Sequence, residues 1–258
     1  MEDQTKDPLA KQADRRWTWA GFGLLIALWW ILAVLSGPLV ISPPPDALRA
    51  LGGMLAGPEF YEHFSLTILR IGAMVLVAAG VAGILAGLAL WDRRIARLIE
   101  PSRRVFATIP PVIVVVIVMF WLGMGSRMII VFGGLILWPV MYINLLEGSE
   151  YLGADLRETA RAFGISLWNR VRHFYLPAIA PAALAGLVLV LCSSIRVVVL
   201  AELLGADEGM GAAIADNARA LAVDQMTAWV LVVLVLAVGS EQALVGPIRR
   251  RVYRWKKP

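Results

Sequence analysis

Residues 147–177 read EGSEYLGADLRETARAFGISLWNRVRHFYLP, and they lie between two long apolar runs, Met128–Leu145 and Ala178–Leu200. The stretch is too long for a simple turn between membrane helices, and it is amphipathic. Glu158, Arg161 and Arg172 are polar, while Ala160, Phe163, Leu167 and Val171 recur at spacings of three and four. Gly164 interrupts that pattern and suits a break between two short helices. Pro177 then opens the next apolar run. A charged helical knob joined on both sides to apolar helices belongs to a chain that crosses a membrane several times.

Working outward, 59% of the 258 residues are hydrophobic and the mean hydropathy is +0.74, against roughly 45–50% apolar in a soluble domain. A crossing helix needs about 20 mostly apolar residues. The candidates are Trp19–Val40, Leu66–Trp91, Pro111–Leu122, Met128–Leu145, Ala178–Leu200 and Met226–Val245. The third is short, and reaches full length if Ala107–Ile109 are included with Pro110-Pro111 at its start. The expectation is an all-α polytopic protein with six transmembrane helices. The first run is longer than the roughly 7–15 residues of a signal-peptide core, so it reads as a retained helix. The chain divides into a tail, 1–18, a first helix with its loop, 19–65, a core of helices 2–6, 66–246, and a basic tail, 247–258. In the loop from Ile41 to Ser65, Pro43-Pro44-Pro45 ends helix 1 and stiffens the chain.

Lysine and arginine set the expected orientation. The N-terminal tail, the loop after helix 2, the loop after helix 4 and the C-terminal tail are rich in them. The alternate loops hold Arg49, Arg127 and Arg219. Both termini are therefore expected in the cytoplasm. The sequence pI of about 9.7 is explained by basic residues beside anionic lipid headgroups and needs no nucleic-acid partner. Cys192 stands alone, so it forms no intrachain disulfide and belongs to no ligand cluster. On helix 2, Gly72, Gly80, Gly83 and Gly87 fall within about 80°, which predicts a face for close helix packing.

Glu158-Thr159-Ala160, three residues, Gly164, nine residues and Phe174-Tyr175-Leu176-Pro177 resemble the EAA loop of binding-protein-dependent ABC importer permeases of the type I fold. Thr159 and Phe174 are mild departures. The resemblance extends to Glu100-Pro101 with Ile109-Pro110-Pro111, to Trp121–Gly125, and to Ala201–Ala206 with Gly209-Met210-Gly211. These last, with the Arg-rich tail, are similar to the nitrate, taurine and aliphatic sulfonate branch. The resemblance implies a non-catalytic subunit of a bacterial inner-membrane importer. Glu158, Ala160, Arg161, Gly164, Leu176 and Pro177 would form the coupling segment that docks on a cytoplasmic ABC ATPase dimer. It also implies a second permease subunit, expected to be a second copy, and a periplasmic or lipid-anchored solute-binding protein. No cofactor is expected in this chain, since ATP and Mg would sit on the ATPase. The sequence itself has no GxxxxGK[ST] phosphate loop, no HExxH and no CxxC.

Ionisable residues at membrane depth usually face a cavity or a partner. Rise per residue places Arg70 and Arg196 at similar depth near the outer mouth. Gly186, Cys192, Ser193 and Arg196 share a wedge of about 120° on helix 5. Arginine presents a planar fork suited to sulfonate, nitrate or carboxylate. The candidate path or outer-gate residues are Arg70, Ser193, Arg196 and Glu202. A structural alternative has the arginines snorkel outward or pair with Glu202. Glu241 reads as structural, and the substrate expectation is a small anion, with a vitamin precursor as the alternative. A stand-alone secondary transporter would more often carry its charges at the midplane. An intramembrane enzyme would want a catalytic pair at depth, and none is visible.

Overall fold

The computed structural model describes residues 8–37, 39–150, 172 and 176–254. Among these the chain forms nine helices: α1 (Pro8–Ser36), α2 (Pro44–Leu55), α3 (Pro58–Trp91), α4 (Arg93–Thr108), α5 (Pro111–Leu122), α6 (Ser126–Glu150), α7 (Leu176–Gly205), α8 (Met210–Arg219) and α9 (Val223–Arg254). Five contain segments long and apolar enough to cross a membrane: Trp17–Ser36, Pro58–Trp91, Ser126–Ser149, Leu176–Gly205 and Val223–Ala243. A sixth crossing exists only if α4 and α5, bent by 104° to each other, count as one.

That bend corrects the expected third helix. Ile109 and Pro110 are not helical, so Ala107–Ile109 do not extend α5. Proline is favoured at the first helical position because its missing N–H would be unpaired there anyway, and its ring opposes helix in the residue before it. Pro110-Pro111 therefore separates two helices. At its far end α5 stops at Gly123, whose φ of 74° is open to glycine. α4 was not expected as a helix. Asp92 caps it by accepting from the N–H of Arg94 at 2.8 Å, and Glu100 grips both Arg103 and Arg104.

The same proline rule moves the second membrane helix. α3 begins at Pro58 rather than near Leu66, and Pro44 starts α2 inside what the sequence presented as a loop. α2 and α8 lie at one end of the bundle with the first turns of α3 and α9.

α6 is the central helix and packs most extensively on α3 and α7. In a bilayer, close approach and good packing drive helix association more than apolar burial does. Gly133 and Gly134 of α6 receive Met74 and Val77 of α3, while Gly148 receives Ile179 and Ala182 of α7. The α3 surface turned inward carries Met74, Ala78, Ala82 and Ala86. The predicted glycine face of this helix is therefore not the one that packs against α6. A Cβ on Gly72, Gly80, Gly83 or Gly87 would meet none of the described residues of other helices within 4 Å. α1 is mostly exposed, and its Trp29 indole donates to the carbonyl of Ser42 at 3.0 Å.

Candidate functional site

A buried polar network joins α3, α6, α7 and the turn into α8. Its centre is Glu202, near the end of α7, where Arg70 of α3 donates to the carboxylate at 2.8 Å. The side chains of Glu202 and Arg70 are 0% and 5% exposed, respectively. Two ions buried this far each cost several kcal/mol in lost hydration, and only close geometry with further hydrogen bonds offsets that cost.

The further bonds are present. Gly211 donates its N–H to Oε2 of Glu202 at 3.0 Å. The Thr67 hydroxyl is 2.9 Å and 3.0 Å from the two carboxylate oxygens, and also 3.0 Å from the carbonyl of His63. A hydroxyl has one proton, and the ionised carboxylate is the stronger acceptor. Thr67 Oγ1 in turn accepts from the N–H of Met210 at 2.9 Å. On the other side, Arg70 donates from Nε to Ser126 Oγ at 3.0 Å and from Nη1 to the Glu208 carbonyl at 2.6 Å. One ion pair therefore ties down the first residues of α8 through their backbone.

Two glycines make this possible. Gly209 has φ of +115°, and a Cβ there would stand 2.4 Å from the Glu202 carboxyl carbon and 2.7 Å from Arg70 Nη1. A Cβ on Gly211 would stand 2.4 Å from the Val199 carbonyl oxygen. Only a chain without side chains at both points can lay its N–H groups over the carboxylate. The Gly209 N–H goes to Nδ1 of His63 at 2.9 Å. That bond requires Nδ1 to be unprotonated, so the ring proton sits on Nε2.

Arg70 thus faces Glu202 and Ser126, closed off from any path in this structure. The expectation that Arg70 and Arg196 share a depth does not hold. Arg70 is level with Glu202, whereas Arg196 lies six residues earlier on α7, about 9 Å along its axis and about 120° around it. Arg196 is exposed and forms no ion pair among the described residues. Ser193 and Cys192 are half-buried beside it. Gly186, expected on the same wedge, is instead filled by Asn144 and Met141 of α6. Leu176 and Pro177 open α7. Glu158, Ala160, Arg161 and Gly164 lie outside the described residues.

His63, Thr67 and Ser126 were not singled out from sequence. His63, Thr67 and Arg70 follow each other at spacings of four and three, which puts them on one helix face. That spacing was the available signal.

Residues 79–240 match the family described as binding-protein-dependent transport system inner membrane component. The chain belongs to that family. Of the permease network, Glu202, Gly209 and Gly211 fall within the matched residues, and Thr67 and Arg70 precede them. The putative aliphatic sulfonates transport permease protein SsuC of Bacillus subtilis is 26% identical over 238 residues, covering 90% of this chain and 85% of that protein. The taurine transport system permease protein TauC of Escherichia coli is 26% identical over 241 residues, covering 90% and 86%. In fold, the permease resembles a chain of a bacterial ABC transporter that imports the acidic polysaccharide alginate, with TM-score 0.63, 16% identity, and coverage of 97% and 100%.

Proposed function

We propose that this permease forms half of the path by which an ATP-driven importer carries a small organic anion of the sulfonate or taurine class into the cell. A second copy would complete the path. A solute-binding protein would deliver the solute, and an ATPase dimer would dock on the segment containing Glu158, Ala160, Arg161 and Gly164. The sulfonate and taurine permeases among its relatives align over most of their length, which supports the substrate class.

The sidedness of this reading rests on charge. At the end bearing α2 and α8, Asp46, Glu59, Glu62, Asp207, Glu208, Asp216 and Asp224 stand against Arg49, Arg127 and Arg219. The opposite end carries α4, the last turn of α6 and the first turn of α7, and arginine and lysine dominate in the sequence of α4, of the segment joining α6 to α7 and of the two tails taken together. Basic loops are retained in the cytoplasm, so the α2 and α8 end faces outward, and both termini face inward.

The observation that carries the anion reading is the contrast between the two arginines. Arg70 is neutralised by Glu202. Arg196 is exposed on a membrane-spanning helix and has no counter-ion among the described residues. A cation at that depth calls for a partner, and a passing anion supplies one. In proteoliposomes holding permease, ATPase and binding protein, Arg196→Gln is expected to cut sulfonate uptake by about tenfold, as loss of one charge-assisted contact would. Assembly and basal ATP hydrolysis should stay intact. Unchanged uptake would remove Arg196 from the path.

A further inference from the structure

A cavity of about 600 Å³ opens at the end bearing α2 and α8. It is bounded by α2 and by the first turns of α3 and α9, with α8 closing the remaining side. Phe60 and Trp229 line it and stack on each other, their centroids 5.2 Å apart and their planes 16° from parallel. Glu59, Asp216 and Asp224 also line it, with no lysine or arginine among the lining residues. Asp216 is bonded to Arg219 on α8. Neither Glu59 nor Asp224 forms an ion pair among the described residues.

We propose that this cavity seats a lysine or arginine side chain of the solute-binding protein when that protein docks. The inference rests on the importer reading above and names the site and the chemistry of the contact. Aromatic faces attract cations through their ring quadrupole, and two unpaired carboxylates beside them select a basic group. A small anionic solute is repelled by the same wall, so the cavity is not its entrance. The permease's own basic segments among the described residues, α4 and the last turns of α9, belong to the opposite end of the bundle. A two-fold contact between copies through this patch would set carboxylates against carboxylates. A basic surface on an external protein meets none of these objections.

The cavity is also joined to the network. His63 lines it and accepts from the Gly209 N–H, and its ring meets Trp229 edge-on with centroids 5.8 Å apart. A group entering the cavity therefore touches the residue that holds the turn lying over Glu202.

The test uses the assembled importer in lipid nanodiscs, with the importer's cognate solute-binding protein as probe. Binding is followed at low and high salt for the parent complex and for Glu59→Gln with Asp224→Asn. The variant is expected to associate about tenfold more slowly at low salt, with the two complexes converging as salt screens the contact. Both carboxylates also sit in the first turn of a helix, where they favour the unpaired N–H groups. A purely helix-stabilising role would lower thermal stability and leave the salt dependence of binding unchanged, and that result would overturn the proposal. So would a Gln225→Cys, Cys192→Ser chain that forms a disulfide between two permease copies, since the cavity would then belong to their interface. Tight binding of a small organic cation such as tetramethylammonium, with docking unaffected by the double substitution, would overturn it as well. If the parent complex binds no solute-binding protein at all, the importer reading falls with it. Equal binding by parent and variant removes the docking seat alone.

Discussion

Replacing Glu202 by alanine should destabilise this permease more than replacing Arg70, and removing both charges together should cost less than the two single losses summed. Glu202→Ala leaves a guanidinium buried without its counter-ion and orphans the Gly211 N–H that now donates to Oε2 at 3.0 Å. Breaking a buried pair from one side typically costs about 3–5 kcal/mol, and an unpaired buried donor adds roughly 1–3 kcal/mol. Water entering the space left by the side chain would offset part of the second term. Arg70→Ala leaves a carboxyl group that keeps Thr67 and Gly211 as donors and can also take up a proton. A guanidinium cannot lose one. The expected costs are therefore about 4 kcal/mol for Glu202→Ala and about 3 kcal/mol for Arg70→Ala. Arg70→Ala combined with Glu202→Ala removes both charges at once, so the pair of changes should fall short of additivity by about 2–3 kcal/mol.

The measurement is the unfolding rate of the purified complex in detergent, followed by tryptophan fluorescence, because membrane assemblies commonly unfold irreversibly and a rate is then the meaningful quantity. With the network intact in the native state and lost in the unfolding transition state, about 3 kcal/mol becomes a rate increase of more than about a hundredfold. Strict additivity in the double variant would refute the reasoning, since it would mean the two groups do not act on each other. So would a cost below about 1 kcal/mol for Glu202→Ala, the range of a solvated surface pair.

Gly209→Ala combines a strained φ of +115° with a Cβ 2.4 Å from the Glu202 carboxyl carbon, so a loss of at least about 2 kcal/mol in stability is expected, read as faster thermal inactivation. Gly133→Leu should separate α6 from α3, because a Cβ there already meets the Met74 side chain at 2.7 Å; overpacking of about 1–3 kcal/mol should show as poor recovery of assembled complex. Gly83→Ala, on a face of α3 where an added Cβ meets none of the described residues of other helices within 4 Å, should leave the folding of the single chain unchanged, and any loss should appear only in assembly, measured by the oligomer recovered after mild detergent extraction.

The membrane character was legible because it is a statement about long patterns. α2 and α8 were not, since twelve and ten residues give too few turns to separate an amphipathic helix from a polar loop. The packing face of α3 shows a different limit. Both Gly72, Gly80, Gly83, Gly87 and Ala78, Ala82, Ala86, Ala89 recur at helical spacing, and periodicity cannot say which stripe turns inward. Packing decides it from the partner's side: the glycines that matter are Gly133 and Gly134 on α6, which admit Met74 and Val77. At this contact the close approach is made by a glycine on one helix and a side chain on the other.

The two arginines show how an error in one helix boundary propagates to function. With the second membrane helix starting near Leu66, Arg70 sits one turn in and looks like a companion of Arg196 at the outer mouth. With α3 starting at Pro58, Arg70 is about 18 Å along its helix and meets Glu202 instead. Depth arithmetic alone could not separate them, because it ignores which face each residue occupies and what stands opposite. Compensation separates them. A buried arginine bonded to a carboxylate, a serine and a backbone carbonyl cannot turn toward a passing anion without breaking those bonds. An arginine that folding leaves without a counter-ion costs nothing structural to engage and release. Of the two arginines on α3 and α7, Arg196 is therefore the one we propose for a solute path, while Arg70 and Glu202 hold the turn into α8.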